Sequence, residues 1–187
     1  MQLTLASASP RRRELLSHLG ISFQVAPADL DETLLPGEKA AAYVERLARA
    51  KAHGTGLILA ADTSVVLDDQ VLGKPGRDAV LGAEMLRRLS GRSHQVMTGI
   101  AVSSLAGVRS QVVTSEVFFR RLSESEIAWY VGTGEGADKA GGYALQGRAG
   151  AFITQIVGSP SNVIGLPLVE TVALLRSAGL KLPMDGK

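Results

Sequence analysis

LILAAD, residues 57–62, is the stretch that decides how this chain folds. Five apolar residues in an unbroken row leave no polar face for water, the pattern of a strand covered on both sides within an α/β sheet. Asp62 then stands at the carboxyl end of that strand, the edge at which open α/β sheets present groups to a ligand. A carboxylate there can hold a divalent metal, accept a proton from water, or simply cap a turn.

Working back from this strand, residues 37–53 are Ala-rich, with Tyr43, Val44, Leu47 and Ala48 at helical spacing and Gly54 as the stop. The proline-bounded segment 27–36, which carries Asp29, Asp31 and Glu32, reads as a loop, and residues 21–25 as a strand. At the start of the chain, residues 2–6 alternate like a strand. Ser9 and Pro10 then read as the N-cap and first residue of a helix whose apolar stripe is Leu15, Leu16 and Leu19 and whose end is Gly20.

Working forward, residues 65–67 and 71–72 flank Asp68-Asp69-Gln70 as a hairpin, and a Gly73-Lys74-Pro75-Gly76 loop leads to an amphipathic helix at 78–89. Residues 94–105 and 108–119 alternate and join at Ala106-Gly107, which predicts an antiparallel pair. Ser123 and Glu126 have the spacing of a capping box that opens a helix to about Val131. Residues 132–150 are Gly-rich and irregular, 151–157 a strand and 167–178 a last helix. Strands and helices alternate early and antiparallel strands fill the middle. The expected fold is therefore α/β, a mixed β-sheet flanked by helices, in one domain over residues 1–187 with two lobes and a cleft.

Composition narrows the function. At 187 residues and 45% hydrophobic content the chain can bury one sizeable core. Lys and Arg exceed Asp and Glu by 20 to 18, so no global field draws the protein to nucleic acid, and any anion site must be local. The absence of cysteine removes disulfides, thiolate catalysis and Cys-based zinc sites. With no signal-peptide pattern and no apolar run near the roughly 20 residues that span a bilayer, a soluble, cytoplasmic protein without a membrane partner is expected. His18, His53 and His94 lack paired metal-ligand spacing and read as surface or core residues.

The local anion site is sought first in SASPRRR, residues 7–13. A helix N-terminus offers unpaired N–H groups and the positive end of the dipole, which suits an anion and disfavours arginine by a few tenths of a kcal/mol, ~0.3 or more per charge. A bound polyphosphate would reverse that preference through bidentate hydrogen bonds, and a solvated basic patch is the alternative. Glu32 offers a second carboxylate, while Lys51 and Lys74 are candidate phosphate contacts. In GGYALQG, residues 141–147, glycine lets backbone approach a planar ligand, and Gln146 can donate to and accept from a nucleobase edge. Neither a Walker loop nor a G-x-G-x-x-G after a strand is present.

Taken in order, SASPRRRELL, the ARAKA at 48–52, LAADTSVVLDDQVLGKP, LSGRSHQVMTG, DKAGGYALQG and NVIGLPL resemble the Maf family of nucleoside triphosphate pyrophosphatases, from about residue 3 to about residue 178. The resemblance implies a fold similar in outline to the inosine triphosphate pyrophosphatases and frequent homodimers. The reaction it implies is hydrolysis between the α and β phosphorus with Mg²⁺ or Mn²⁺, giving a monophosphate and pyrophosphate. Ser7, Arg11 and Arg12 match the phosphate-binding positions of the first motif. Glu32, Lys51 and Lys74 match acidic and basic active-site positions, and Asp62 matches the proton acceptor. Asp62 and Glu32 are also the implied metal ligands, and whether Asp62 is base or ligand stays open. Arg11, Thr63 and Gln146 resemble the specificity residues of members acting on dTTP and UTP. In the 7-methyl-GTP branch a Gln usually follows the Asp, and a Glu replaces Gln146. Pro160, in GSPSNV, departs from the aromatic the family usually carries in its last loop. The family's link to septum formation leaves a nucleotide-binding regulator as the alternative function. For an enzyme, the substrate could be a modified pyrimidine nucleotide cleared before it enters nucleic acid.

Overall fold

The structure, a computed structural model, describes residues 2–186. β1 (Leu3–Leu5) leads into α1 (Pro10–Ser17), and β2 (Phe23–Val25) pairs parallel to β1 through the register Leu3↔Phe23. After an irregular segment comes α2 (Ala40–Lys51), whose apolar stripe Val44, Leu47 and Ala48 is fully buried. β3 (Leu57–Leu67) pairs parallel to β1 and antiparallel to β4 (Gln70–Leu72). α3 (Ala79–Leu89) is capped by Asp78, whose carboxylate accepts from the amides of Val80 and Leu81. β5 (Ser93–Ser104), β6 (Gly107–Phe119), α4 (Glu124–Gly132), β7 (Ile153–Val157), α5 (Pro160–Ile164) and α6 (Leu168–Ser177) follow. The sheet has seven strands in the order β2-β1-β3-β5-β6-β7, with β4 beside β3. The mixed α/β architecture expected from the sequence is the one observed.

Three local expectations shift. β3 does not stop at Ala61 but runs for 11 residues, so Asp62 lies within the strand and not at its carboxyl end. The apolar row resumes at Val65, Val66 and Leu67, whose partners across the ladder are Leu72, Val71 and Gln70, and a backbone ladder with both faces covered has reason to continue past one charged side chain. The turn between β5 and β6 falls at Leu105-Ala106, one residue earlier than expected. Pro160 is not in a loop but opens α5, where its missing N–H costs nothing, and Ser159 Oγ accepts from the Asn162 amide at 3.3 Å. The hairpin after β3 is tight: Asp68 and Asp69 both take positive φ, 51° and 60°, as the right-handed twist of a two-residue hairpin asks.

The chain divides into two compact units, Met1–Asp62 with Thr98–Val113 and Gly165–Lys187, and Thr63–Met97 with Thr114–Ile164. In the first, Leu3, Leu5, Leu16, Val44, Leu47 and Leu59 are inaccessible to solvent. α2 lies on β5 so closely that a Cβ at Gly99 would stand 2.3 Å from the Val44 carbonyl oxygen. In the second unit Leu86, Leu89, Val96, Val117, Phe119 and Ile127 form the core, with Tyr130, Tyr143 and Phe152 packed edge to face around Phe119 and Phe152. His94 is buried there, 2.7 Å from the Tyr143 hydroxyl through Nε2.

Candidate active site

The turn between β1 and α1 is organised by its serines. Ser9 caps α1, its hydroxyl accepting from the Arg12 amide at 3.4 Å. Buried Ser7 accepts twice, from the Ser9 amide at 3.2 Å and from the Arg12 guanidinium at 3.3 Å. Arg12 Nε donates to the Gly165 carbonyl at 2.8 Å, which fixes the plane of the guanidinium. Burial lowers the Arg12 pKa, Asp62 and Glu32 oppose that shift, and Arg11 adds to it. Arg12 therefore sits in the field of two carboxylates and a second cation. Arg11 is half-buried and Arg13 is exposed.

Lys51, on the last turn of α2, joins the two carboxylates. Its ammonium lies 2.6 Å from Asp62 Oδ1 and 2.6 Å from Glu32 Oε1. The Lys51 and Asp62 side chains are only 9% and 10% exposed, whereas Glu32 is 42% exposed. An ion pair this far from water is often no more stabilising than packed apolar residues of the same size, so stability gives no reason to place one here. The fold thus brings a carboxylate from mid-strand, one from a loop and an ammonium from a helix to a single point.

The two carboxylates are also the oxygen donors a divalent ion would use. Among the described residues no three His, Cys, Asp or Glu side chains converge. Asp62 and Glu32 do converge, on a cation, and two hard oxygen donors completed by water and phosphate oxygens are how Mg²⁺ is commonly held. The donor set fits a magnesium-type ion.

The remaining sequence-derived residues belong to the second unit. Thr63 follows Asp62 directly along β3. Lys74 is exposed in the loop after β4, and the carbonyl of its neighbour Gly73 accepts from the Gly141 amide at 3.0 Å. Gln146 is exposed in the turn before Arg148. In the sequence Tyr43 belongs to the helical stripe of residues 37–53. Its hydroxyl instead donates to the Glu32 carbonyl at 2.7 Å, and burial raises its pKa, with Asp62 and Glu32 adding to the rise. Its helical spacing is that of a core residue, so nothing local distinguishes its hydroxyl end.

Comparison with known proteins places this geometry in a family. The family model described as Maf-like protein matches residues 2–178. A protein of Anaeromyxobacter dehalogenans (strain 2CP-C) named dTTP/UTP pyrophosphatase is 56% identical over 98% of this chain and 97% of its own. A protein of the same name from Myxococcus xanthus is 56% identical over 97% of this chain and 94% of its own, and one from Hahella chejuensis 47% over 98% and 96%. A solved chain, the Staphylococcus aureus Ham1 protein, aligns over 64% of this chain and 72% of its own at 13% identity and a TM-score of 0.43, a likeness too slight to argue from. With a family match over nearly all its residues and relatives of about half identity end to end, this chain belongs to the Maf-like family.

Proposed function

We propose that this protein hydrolyses nucleoside triphosphates, dTTP and UTP foremost, to the monophosphate and pyrophosphate. The observation that carries the reading is the meeting of Asp62, Glu32 and Lys51 within 2.6 Å contacts, in electrostatic reach of Arg12 at a helix N-terminus. The names of the relatives support the substrate class.

Water attacks the α phosphorus, the bond from that phosphorus to the bridging oxygen breaks, and pyrophosphate leaves with the bond's electrons. Asp62 accepts the proton that the water gives up. Arg12 and Arg11 face the negative oxygens of the triphosphate, with Arg12 already oriented by Ser7 and Gly165. Lys51 keeps the two carboxylates at one point and neutralises part of their charge, so that an anionic substrate is not repelled. A divalent ion held by Asp62 and Glu32 would supply charge neutralisation at the phosphates and polarise the attacked phosphorus. Lys74 is assigned to the phosphates, and Thr63 and Gln146 to the pyrimidine, from their motif positions. A neutral amide at 146 pairs with a neutral uracil or thymine edge, whereas the cationic base of 7-methyl-GTP would favour a carboxylate. Catalysis in this scheme is positioning and charge stabilisation.

The test is a panel of nucleoside triphosphates with Mg²⁺, with the phosphorus products separated. Pyrophosphate and a monophosphate, formed fastest from dTTP and UTP, are expected. Orthophosphate as the first product overturns the cleavage position, and a preference for 7-methyl-GTP overturns the roles of Thr63 and Gln146. Asp62→Asn is expected to lose well over tenfold in kcat, more than about 1.4 kcal/mol of transition-state stabilisation.

A further inference from the structure

Glu32 is the one member of the carboxylate and lysine cluster that no helix or strand holds: it lies in the irregular segment between β2 and α2. The neighbours Asp29, Asp31, Thr33, Leu34, Leu35 and Pro36 are all exposed. An exposed segment without a ladder pays conformational entropy to keep a side chain in one place, so something must restrain it if Glu32 is to meet Lys51 reproducibly.

The restraints come from two residues one turn apart on α2. Tyr43 Oη donates to the Glu32 carbonyl at 2.7 Å. Arg46 donates to the next carbonyl along, that of Thr33, at 3.1 Å. The same guanidinium grips Glu38 with Nε and Nη2 at 2.7 and 2.8 Å, and Glu38 Oε2 in turn accepts from the Leu35 amide at 3.1 Å. The guanidinium carbon lies 5.6 Å from the centre of the Tyr43 ring, so the two side chains also brace each other. The segment is gripped at its backbone at three points, Glu32 and Thr33 directly and Leu35 through Glu38. Helix α2 therefore presents Lys51 at one end and, two and one turns earlier, the groups that set where Lys51's loop-borne partner stands.

We propose that Tyr43 and Arg46 are positioning residues for catalysis, which act by holding the backbone of residues 32–35 so that the Glu32 carboxylate meets Lys51 and Asp62. The proposal rests on the hydrolase reading above for its kinetic consequence but not for its structural one. Both bond to the backbone and side chains of the segment that carries Glu32, and their effect passes through Glu32.

The experiment combines kinetics with amide hydrogen exchange on the full chain. Tyr43→Phe keeps the ring and its packing and removes one hydroxyl. It is expected to lower kcat for the preferred triphosphate by about tenfold, the usual scale for groups that orient an active-site ligand, with KM changed by less than about twofold. Arg46→Met is expected to lower kcat similarly, and Arg46→Lys, which cannot bond in two directions from one plane, to restore little of it. In a Glu32→Gln background Tyr43→Phe should cost nothing further, because the group it positions is already disabled. Exchange at the Leu35 amide should quicken in both the Tyr43→Phe and Arg46→Met proteins while amides of β3 stay unchanged. Full additivity of Tyr43→Phe with Glu32→Gln, or unchanged exchange at Leu35, overturns the proposal. A wild-type protein that forms no pyrophosphate sinks the hydrolase reading instead, and the exchange result then still decides whether Tyr43 and Arg46 hold the segment.

Discussion

Lys51 illustrates how much one residue can settle. In the sequence it is one of 20 basic side chains, with nothing but its place in ARAKA to set it apart. In the structure it is buried between two carboxylates, one from β3 and one from the segment before α2. Replacing it with Met fills the volume but leaves Asp62 in low dielectric without its cation, and removing one partner of a buried pair costs about 3 kcal/mol or more. Lys51→Met should therefore lower the urea-unfolding free energy by about that amount. Lys51→Met combined with Asp62→Asn should recover a large part of the loss, because no buried charge is then left alone. A loss under about 1 kcal/mol in the single variant would mean that water reaches Asp62. Three arginines at a helix N-terminus single out Arg12 as a candidate in the sequence, with a solvated basic patch as the alternative. Its link to Gly165, 153 residues away, is legible only in the structure.

At the scale of elements, periodicity and capping chemistry carried far. The Ser9 cap and the reciprocal box of Ser123 and Glu126 form as their spacing predicts, and Asp78 caps the helix expected to open with it. β3 is the instructive departure. A charged residue looked like the end of an apolar run, yet the ladder continues to Leu67, and Asp62 is presented from the middle of a strand. No pattern of apolar residues distinguishes a strand that stops at a carboxylate from one that passes it; the pairing with β4 decides. Gly99 makes the same point about packing. Its sequence context is an ordinary alternating strand, and the reason for glycine is the backbone of α2 at Val44, 2.3 Å from a would-be Cβ. Because the obstacle is backbone that also leads to Lys51, Gly99→Ala should cost about 2 kcal/mol in stability and also lower activity, through displacement of α2. Thermal unfolding and the pyrophosphate assay, run on the same preparation, check both; a variant as stable as wild type would show that α2 can shift without penalty.

For the molecule as a whole, a buried histidine of the second unit contributes to stability against acid. Burial between Phe119 and Tyr143 pushes the His94 pKa from 6.5 down to about 4. The unfolded chain thus takes up a proton that the folded one refuses. The contribution to stability is full above about pH 6.5 and is lost as pH falls from there to about 4, on the order of 3 kcal/mol in all. Urea titrations at pH 7 and pH 4.5 should show His94→Gln losing about 2 kcal/mol less than wild type across that interval, and equal losses would place the acid sensitivity elsewhere.

The sequence by itself determined the class of fold, because apolar period and turn chemistry are local and each element's choice agrees with its neighbours. It also named the candidate site residues, since Ser7, Arg11, Arg12, Glu32, Lys51, Asp62, Thr63, Lys74 and Gln146 stand in ordered motifs along the chain. Only the tertiary structure decided which of these meet. Lys51 touching both Glu32 and Asp62, Arg12 anchored to Gly165, and Tyr43 and Arg46 gripping the segment that bears Glu32 are all contacts between residues distant in sequence. Such contacts depend on how helices seat on a sheet and where a strand finds its partner, and those are outcomes of packing the whole core that no local pattern encodes.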